Sequence, residues 1–353
     1  MQIPTEPIGS IPRPRYLLDA MNDAANDKAS LEQLQAATDK ALRETIALFE
    51  ATGSPVITDG EQAKPSFATY PVHGCPNIAP GGVTIPFADG HTRQLPRLTA
   101  GPFRYGTYAS SFVRAAKSLT KTPLKQAVIS ASALSLLYPQ EGIASYSQEQ
   151  FVSDLIAEAE KDIRGCLEAG ATSVQIDFTE GRLANKLDPS LKLLEQFIDL
   201  NNRVLERFSD AERLRIGVHS CPGGDHDSTH SADIAYDDLL PRLFQLRATT
   251  FYIQLASEKN RRWVLDLVRA NLRSKQRIFV GVTDPINPRL ETAEEVCSRV
   301  LEAVEFVPIH QLGTTDDCGF SPFGDDVSTS RDLAFEKIRA RVSGTALAAE
   351  RLE

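Results

Sequence analysis

The chain has 353 residues, 42% hydrophobic and 24% charged, with a formal net charge of −9. That composition supports a large buried core and disfavours nucleic acid or an anionic membrane as a partner. The opening stretch MQIPTEPIGSIPRP has neither a basic start nor an apolar core, and no apolar run reaches ~18 residues, so neither a secretory signal nor a spanning helix is expected. Five cysteines without a signal do not make a disulfide framework, so a reducing, cytoplasmic setting is expected.

Apolar, β-branched runs recur along the chain, each followed by a stretch of helical period. The runs are TEPIGSIP (5–12), PVITDG (55–60), KQAVISAS (125–132), TSVQIDF (172–178), LRIGVHS (214–220), TTFYIQL (249–255), RIFVGVTD (277–284) and HQLGTTDD (310–317). SQEQ at 147–150 and TAEE at 292–295 read as capping boxes, and Gly53 and Gly170 as helix stops. Trp263 falls in a helical pattern and is expected to pack against the sheet. Eight alternations predict an α/β fold, a (β/α)8 barrel forming one catalytic domain over 1–353. No G-x-G-x-x-G follows any strand, which counts against an open dinucleotide-binding sheet. A long insertion, 62–124, follows the second strand. It contains a hairpin, VTIPFADGHTRQLPRL, turning at ADGH, and is expected to lie over the site face.

In such a barrel the strand exits carry the chemistry. They place Asp59 and Glu61 after strand two, Asp177 and Glu180 after strand four, His219 and Cys221 after strand five, and Gln254 after strand six. Asp284 follows strand seven, and Asp316, Asp317 and Cys318 follow strand eight. Residues i and i+2 of a strand share a face, so His219 and Cys221 point the same way. A third soft ligand, Cys318, would make a Zn2+ site with one open position. A second His-x-Cys, His73 and Cys75, lies between prolines in the insertion and reads as loop. Cys166 and Cys297 lie in helical patterns and read as packing. His226 and His230 follow Gly223 and Gly224 in a polar loop that reads as lying over the substrate.

These motifs resemble the catalytic half of cobalamin-independent methionine synthase, within the superfamily that includes uroporphyrinogen decarboxylase and epoxyalkane:coenzyme M transferase. PIGSIPRP, TDGEQ, VQIDF, GVHSC, IFVGVTDPINPRLETAEEV and TTDDCGF carry the resemblance from end to end. It implies His219, Cys221 and Cys318 as zinc ligands, and Ile8, Gly9, Ser10, Glu61 and Asp177 as the thiol-substrate pocket. The sequence departs from the family pattern in three places. Gln254 stands where the family has a glutamate ligand, Ile286 stands at or near a histidine, and no tryptophan follows strand three, although Tyr138 lies downstream.

The implied activity is zinc-dependent S-alkyl transfer, in which a substrate thiolate attacks an alkyl donor. The first reading is methyl transfer to homocysteine or a similar small thiol, from a donor other than methyltetrahydrofolate polyglutamate. Thiol addition to an epoxide is the alternative within the family; a zinc hydrolase or a porphyrinogen decarboxylase-like barrel lies outside it. Asp177, Asp284 and His226 are candidates to orient substrate or move a proton. The expected partners are a small thiol and an alkyl donor, with no nucleic acid and no membrane; a homo-oligomer is compatible with the sequence.

Overall fold

The computed structural model describes residues 2–353. Six parallel strands form its central sheet: β1 (Lys125–Ile129), β2 (Ser173–Asp177), β3 (Ile216–Ser220), β4 (Thr250–Ile253), β5 (Arg277–Thr283) and β6 (Leu312–Asp316), each paired with the next. The strands are buried almost throughout, as expected where helices cover a parallel sheet. The principal helices are α1 (Arg15–Ala25), α2 (Leu31–Ala51), α3 (Gln148–Glu168), α4 (Glu180–Leu187), α5 (Lys192–Leu205), α6 (Arg261–Asn271), α7 (Ala293–Val304) and α8 (Arg331–Arg351).

The first two expected strands are present only as single bridges. Thr5 pairs with Thr314 of β6, and Ile57 pairs with Leu124 beside β1, both parallel. Pro4, Pro7, Pro12 and Pro55 remove the amides that a longer ladder needs. The two segments then meet each other: Ile11 N–H donates to Gly60 O at 3.0 Å, and Thr58 Oγ1 donates to Gly9 O at 2.8 Å. These contacts set the first two segments between β6 and β1, the places they hold in a (β/α)8 barrel.

Local signals fold as read. Ser147 with Gln150 and Thr292 with Glu295 form reciprocal capping boxes that open α3 and α7. Such a cap contributes about 1 kcal/mol. Gly53 and Gly170 follow α2 and α3 at φ of +75° and +100°, conformations that glycine adopts without a Cβ penalty. Cys166 and Cys297 are wholly buried. Trp263 departs from expectation: it is 49% exposed, and its indole N–H donates to Asp237. Helix α6 turns Val264, Leu265 and Val268 inward instead.

In the insertion, Thr84–Pro86 pairs antiparallel with Thr92–Gln94, and the chain turns over Ala88–His91. This hairpin docks on a smaller one, Gly224–Asp225 with Ser228–Thr229, through Ala88 N–H to Thr229 O at 3.0 Å. Arg93 bridges Asp225 (2.5 Å) and Asp325 (2.8 Å), tying the insertion to two loops at the barrel mouth.

Candidate functional site

Parallel register sets Asp177, the last residue of β2, beside His219 of β3. His219 Nδ1 lies 3.2 Å from Asp177 Oδ1, which also accepts from Gln175 Nε2 at 2.7 Å. Burial opposes a charged imidazole at His219, yet the hydrogen bond and charge of Asp177 leave its pKa raised. This contact also orients the ring, as a carboxylate behind a metal-ligating histidine does. Cys221 follows β3 directly.

Cys318 arrives from the exit of β6, across the mouth, to put its Sγ 3.1 Å from that of Cys221. His219, Cys221 and Cys318 are all buried, and each offers a ligand atom within 4.8 Å of the others. Cys318 is the readier thiolate of the pair. The Cys221 thiol hydrogen-bonds to it and, against burial, His219 adds to the lowering, while burial holds Cys221 well above the ordinary thiol range.

The loop carrying Cys318 is anchored by its neighbour. The Asp317 carboxylate accepts the backbone N–H groups of Leu255, Ala256 and Ser257 at 2.7–2.8 Å. Burial raises its pKa to about 7. A Cβ at Gly281 would collide with Asp317, so only glycine fits β5 there.

Ile8, Gly9, Ser10, Glu61, Asp177, His219 and Cys318 line one inner cavity of about 20 Å3. Ser10 Oγ accepts the Ser321 N–H at 3.2 Å, joining the first segment to the loop after Cys318. Glu61 sits at φ +56°, a region costly for a residue with a side chain. Two basic residues hold it there. Arg13 Nη2 donates to Glu61 O (2.8 Å) and Lys64 O (2.5 Å), and Lys64 Nζ donates to Glu61 Oε1 (3.0 Å) and Ala127 O (2.8 Å). Lys64 is fully buried. Burial raises the Glu61 pKa, and Lys64 opposes that rise. Lys64 had no role in the sequence reading; its spacing of three from Glu61 is the signal that could have assigned one.

Other candidates have partners of their own. Gln254 gives its amide nitrogen to Glu258 at 2.9 Å, leaving its carbonyl oxygen as the atom chemically able to join a metal. Asp284 caps its own turn through Ile286 N–H and does not line the inner cavity. His226 lies in the salt-bridge cluster at the mouth, 3.1 Å from Arg93 Nη2 and 3.7 Å from Asp326. His230 lines the larger outer cavity. Burial, aided by Lys186 and Arg182, pulls its pKa down to about 4. Tyr138 stacks on Phe151 and donates to Tyr146 O. Cys75 is half-buried, and its Sγ lies 4.0 Å from the Arg104 carbonyl.

Comparison with known proteins shows the family. Methionine synthase of Saccharolobus solfataricus is 23% identical over 99% of this chain and 96% of its own length, and that of Pyrococcus horikoshii is 20% identical over 99% and 94%. Among solved structures, a B12-independent methionine synthase from Shewanella sp. W3-18-1, in complex with selenomethionine, superposes with a TM-score of 0.79 at 18% identity. It covers 100% of this chain and 99% of that one. A Listeria monocytogenes protein described as a putative vitamin-B12 independent methionine synthase gives 0.70 at 21% identity, covering 98% of each. The family model for the cobalamin-independent synthase catalytic domain matches residues 3–331, and the chain belongs to that family.

Proposed function

We propose that this protein is a zinc-dependent thiol S-methyltransferase whose acceptor is homocysteine or a closely similar small thiol. One observation carries the reading: His219 and Cys318, two of a buried three-ligand set, share the wall of one cavity with Ser10, Glu61 and Asp177. The donor set, two thiols and an imidazole backed by a carboxylate, suits zinc. When bound, zinc supplies a Lewis acid that favours the thiolate form of a substrate thiol near neutral pH.

The chain's own residues supply the rest. Glu61 and Asp177 present carboxylates to an acceptor ammonium, and Lys64 and Arg13 fix Glu61 in place. The acceptor sulfur then forms a bond to the methyl carbon as the donor bond breaks in line, the electron pair leaving with the donor. The inner cavity has room for about one water. An amino-acid thiol therefore extends beyond it, past Gly223 and Gly224, which also line the larger cavity alongside.

A porphyrinogen-type pocket would need free arginines for substrate carboxylates. Arg13 is instead committed to the four carbonyls of Glu61, Lys64, Ser321 and Phe323, and Arg15 to Asp19 at the surface. A donor other than methyltetrahydrofolate polyglutamate is supported at the exit of β1, where Ser130–Leu136 offers no aromatic platform. Metal analysis with a methyl-transfer assay tests the reading. The expected result is about one zinc per chain and methionine formed from homocysteine; a metal-free protein with undiminished methyl transfer contradicts it.

A further inference from the structure

Beside the inner cavity lies a second of about 1000 Å3, and Phe67, Thr179, Gly223 and Gly224 belong to both walls. Whatever occupies it sits next to the acceptor sulfur. Two cationic side chains line it, and both are matched: Arg15 by Asp19 at 2.9 Å, Arg93 by Asp225 and Asp325. His230 is held neutral by burial. One carboxyl is left over. Glu180 is 4% exposed, and its Oε1 accepts from the Ser130 and Ser132 hydroxyls while its Oε2 has no partner. The rings of Phe67, Phe87 and Phe323 also face this space. The lining thus pairs aromatic surface with one surplus acidic group, and no unpaired lysine or arginine is among its residues.

A second observation concerns the reacting end. Around Gly224, where a Cβ would stand, the three nearest atoms are Cys318 Sγ, Ile286 Cδ1 and the Ser228 carbonyl oxygen, each at 3.9 Å. None of the three is an acid.

We propose that the outer cavity is the methyl-donor subsite and that it takes a cationic onium donor, specifically a methylsulfonium carrying an apolar group. The Phe67 ring and the Glu180 carboxyl complement the cation, Phe87 and Phe323 being already stacked on His91 and Arg93, and a donor bearing several carboxylates or phosphates meets no unpaired lysine or arginine. The chemistry closes without an acid. The acceptor thiolate forms a new S–C bond, the sulfonium S–CH3 bond breaks, and its electron pair stays on the donor sulfur, which departs as a neutral thioether. The thiol proton is released to solvent before this step, when the acceptor binds as thiolate. The inference rests on the thiol-methyltransferase reading above.

The test uses the zinc-loaded full chain with dimethyl(3-phenylpropyl)sulfonium, and methyl 3-phenylpropyl sulfide as its neutral counterpart. The sulfonium is expected to bind at least tenfold tighter than the sulfide and, with homocysteine, to yield methionine and the sulfide one to one. Glu180→Gln is expected to erase the binding preference; where that variant does not fold, the wild-type comparison decides alone. A sulfonium bound no tighter than the sulfide, or displaced at lower concentration by methyltetrahydrofolate triglutamate, overturns the assignment. Zinc content and homocysteine binding are measured on the same preparation. If both are present and the sulfonium is ignored, the donor assignment falls alone; if both are missing, the underlying reading falls with it.

Discussion

The chain carries His-x-Cys twice, and the two copies have different fates. His219 and Cys221 straddle the end of β3, where strand geometry sets both on one side and Asp177 braces the ring. His73 and Cys75 lie in the insertion around Gly74, at φ +75°, with Cys75 half-buried. Among the described residues, the one three-membered His/Cys/Asp/Glu cluster with metal-ligand geometry is His219, Cys221 and Cys318. Two residues become a candidate centre only when the fold delivers a third, and the closing strand does so from 97 positions away.

The most forceful way to break this comparison is to remove the sulfurs one at a time. Cys221→Ser or Cys318→Ser should empty the site of zinc and lower kcat/KM by at least about a hundredfold. Cys75→Ser and His73→Ala should leave metal content and rate unchanged, measured by metal analysis and steady-state kinetics. A metal content untouched by Cys318→Ser would end the account of the centre.

The brace behind His219 comes next. Asp177→Asn should weaken zinc about 10–100-fold in a chelator competition, as loss of the carboxylate behind a ligating histidine does elsewhere. Equal zinc affinity in the variant would show that ring orientation does not depend on this carboxylate.

The acceptor clamp is expected to act on substrate rather than metal. Glu61→Gln should raise KM for homocysteine about tenfold or more, the worth of a charged hydrogen bond, with zinc content preserved. A thiol lacking the amino group should show no such change, and if it suffers equally the clamp is misassigned.

A separate effect falls on stability and its pH dependence, away from the centre. Burial raises the Glu180 pKa from 4.5 to about 7. The folded chain therefore holds this proton more tightly than the unfolded chain, and the stability it confers is fully present below about pH 4.5. That stability falls as pH rises toward about 7 and then levels off. Glu180→Gln should flatten this decline, gaining up to ~3 kcal/mol at pH 8 relative to the parent. Urea denaturation at pH 5 and pH 8 measures it; parallel losses in both proteins would place the titration elsewhere.

Much of this was legible in the chain. Periodicity located β1 to β6 because buried parallel strands are continuous apolar runs, and i, i+2 spacing picked out His219 and Cys221. The first two segments were overread as strands because their prolines forbid ladders while leaving the apolar pattern intact. Trp263 was misplaced because helical period does not say which face is inward; Val264, Leu265 and Val268 fixed that. Lys64 lies only three residues from Glu61, but the Arg13 contacts and the Arg93 cluster at the mouth join segments tens to hundreds of residues apart. Local pattern carries no trace of such contacts.

The central claim is that a substrate thiol is captured at the His219–Cys221–Cys318 centre. Proton release on titrating the zinc-loaded protein with homocysteine at pH 7.5 tests it most directly. The account predicts about one proton released per thiol bound, and none from the Cys318→Ser variant. Binding without proton release, or the same release from that variant, would contradict it.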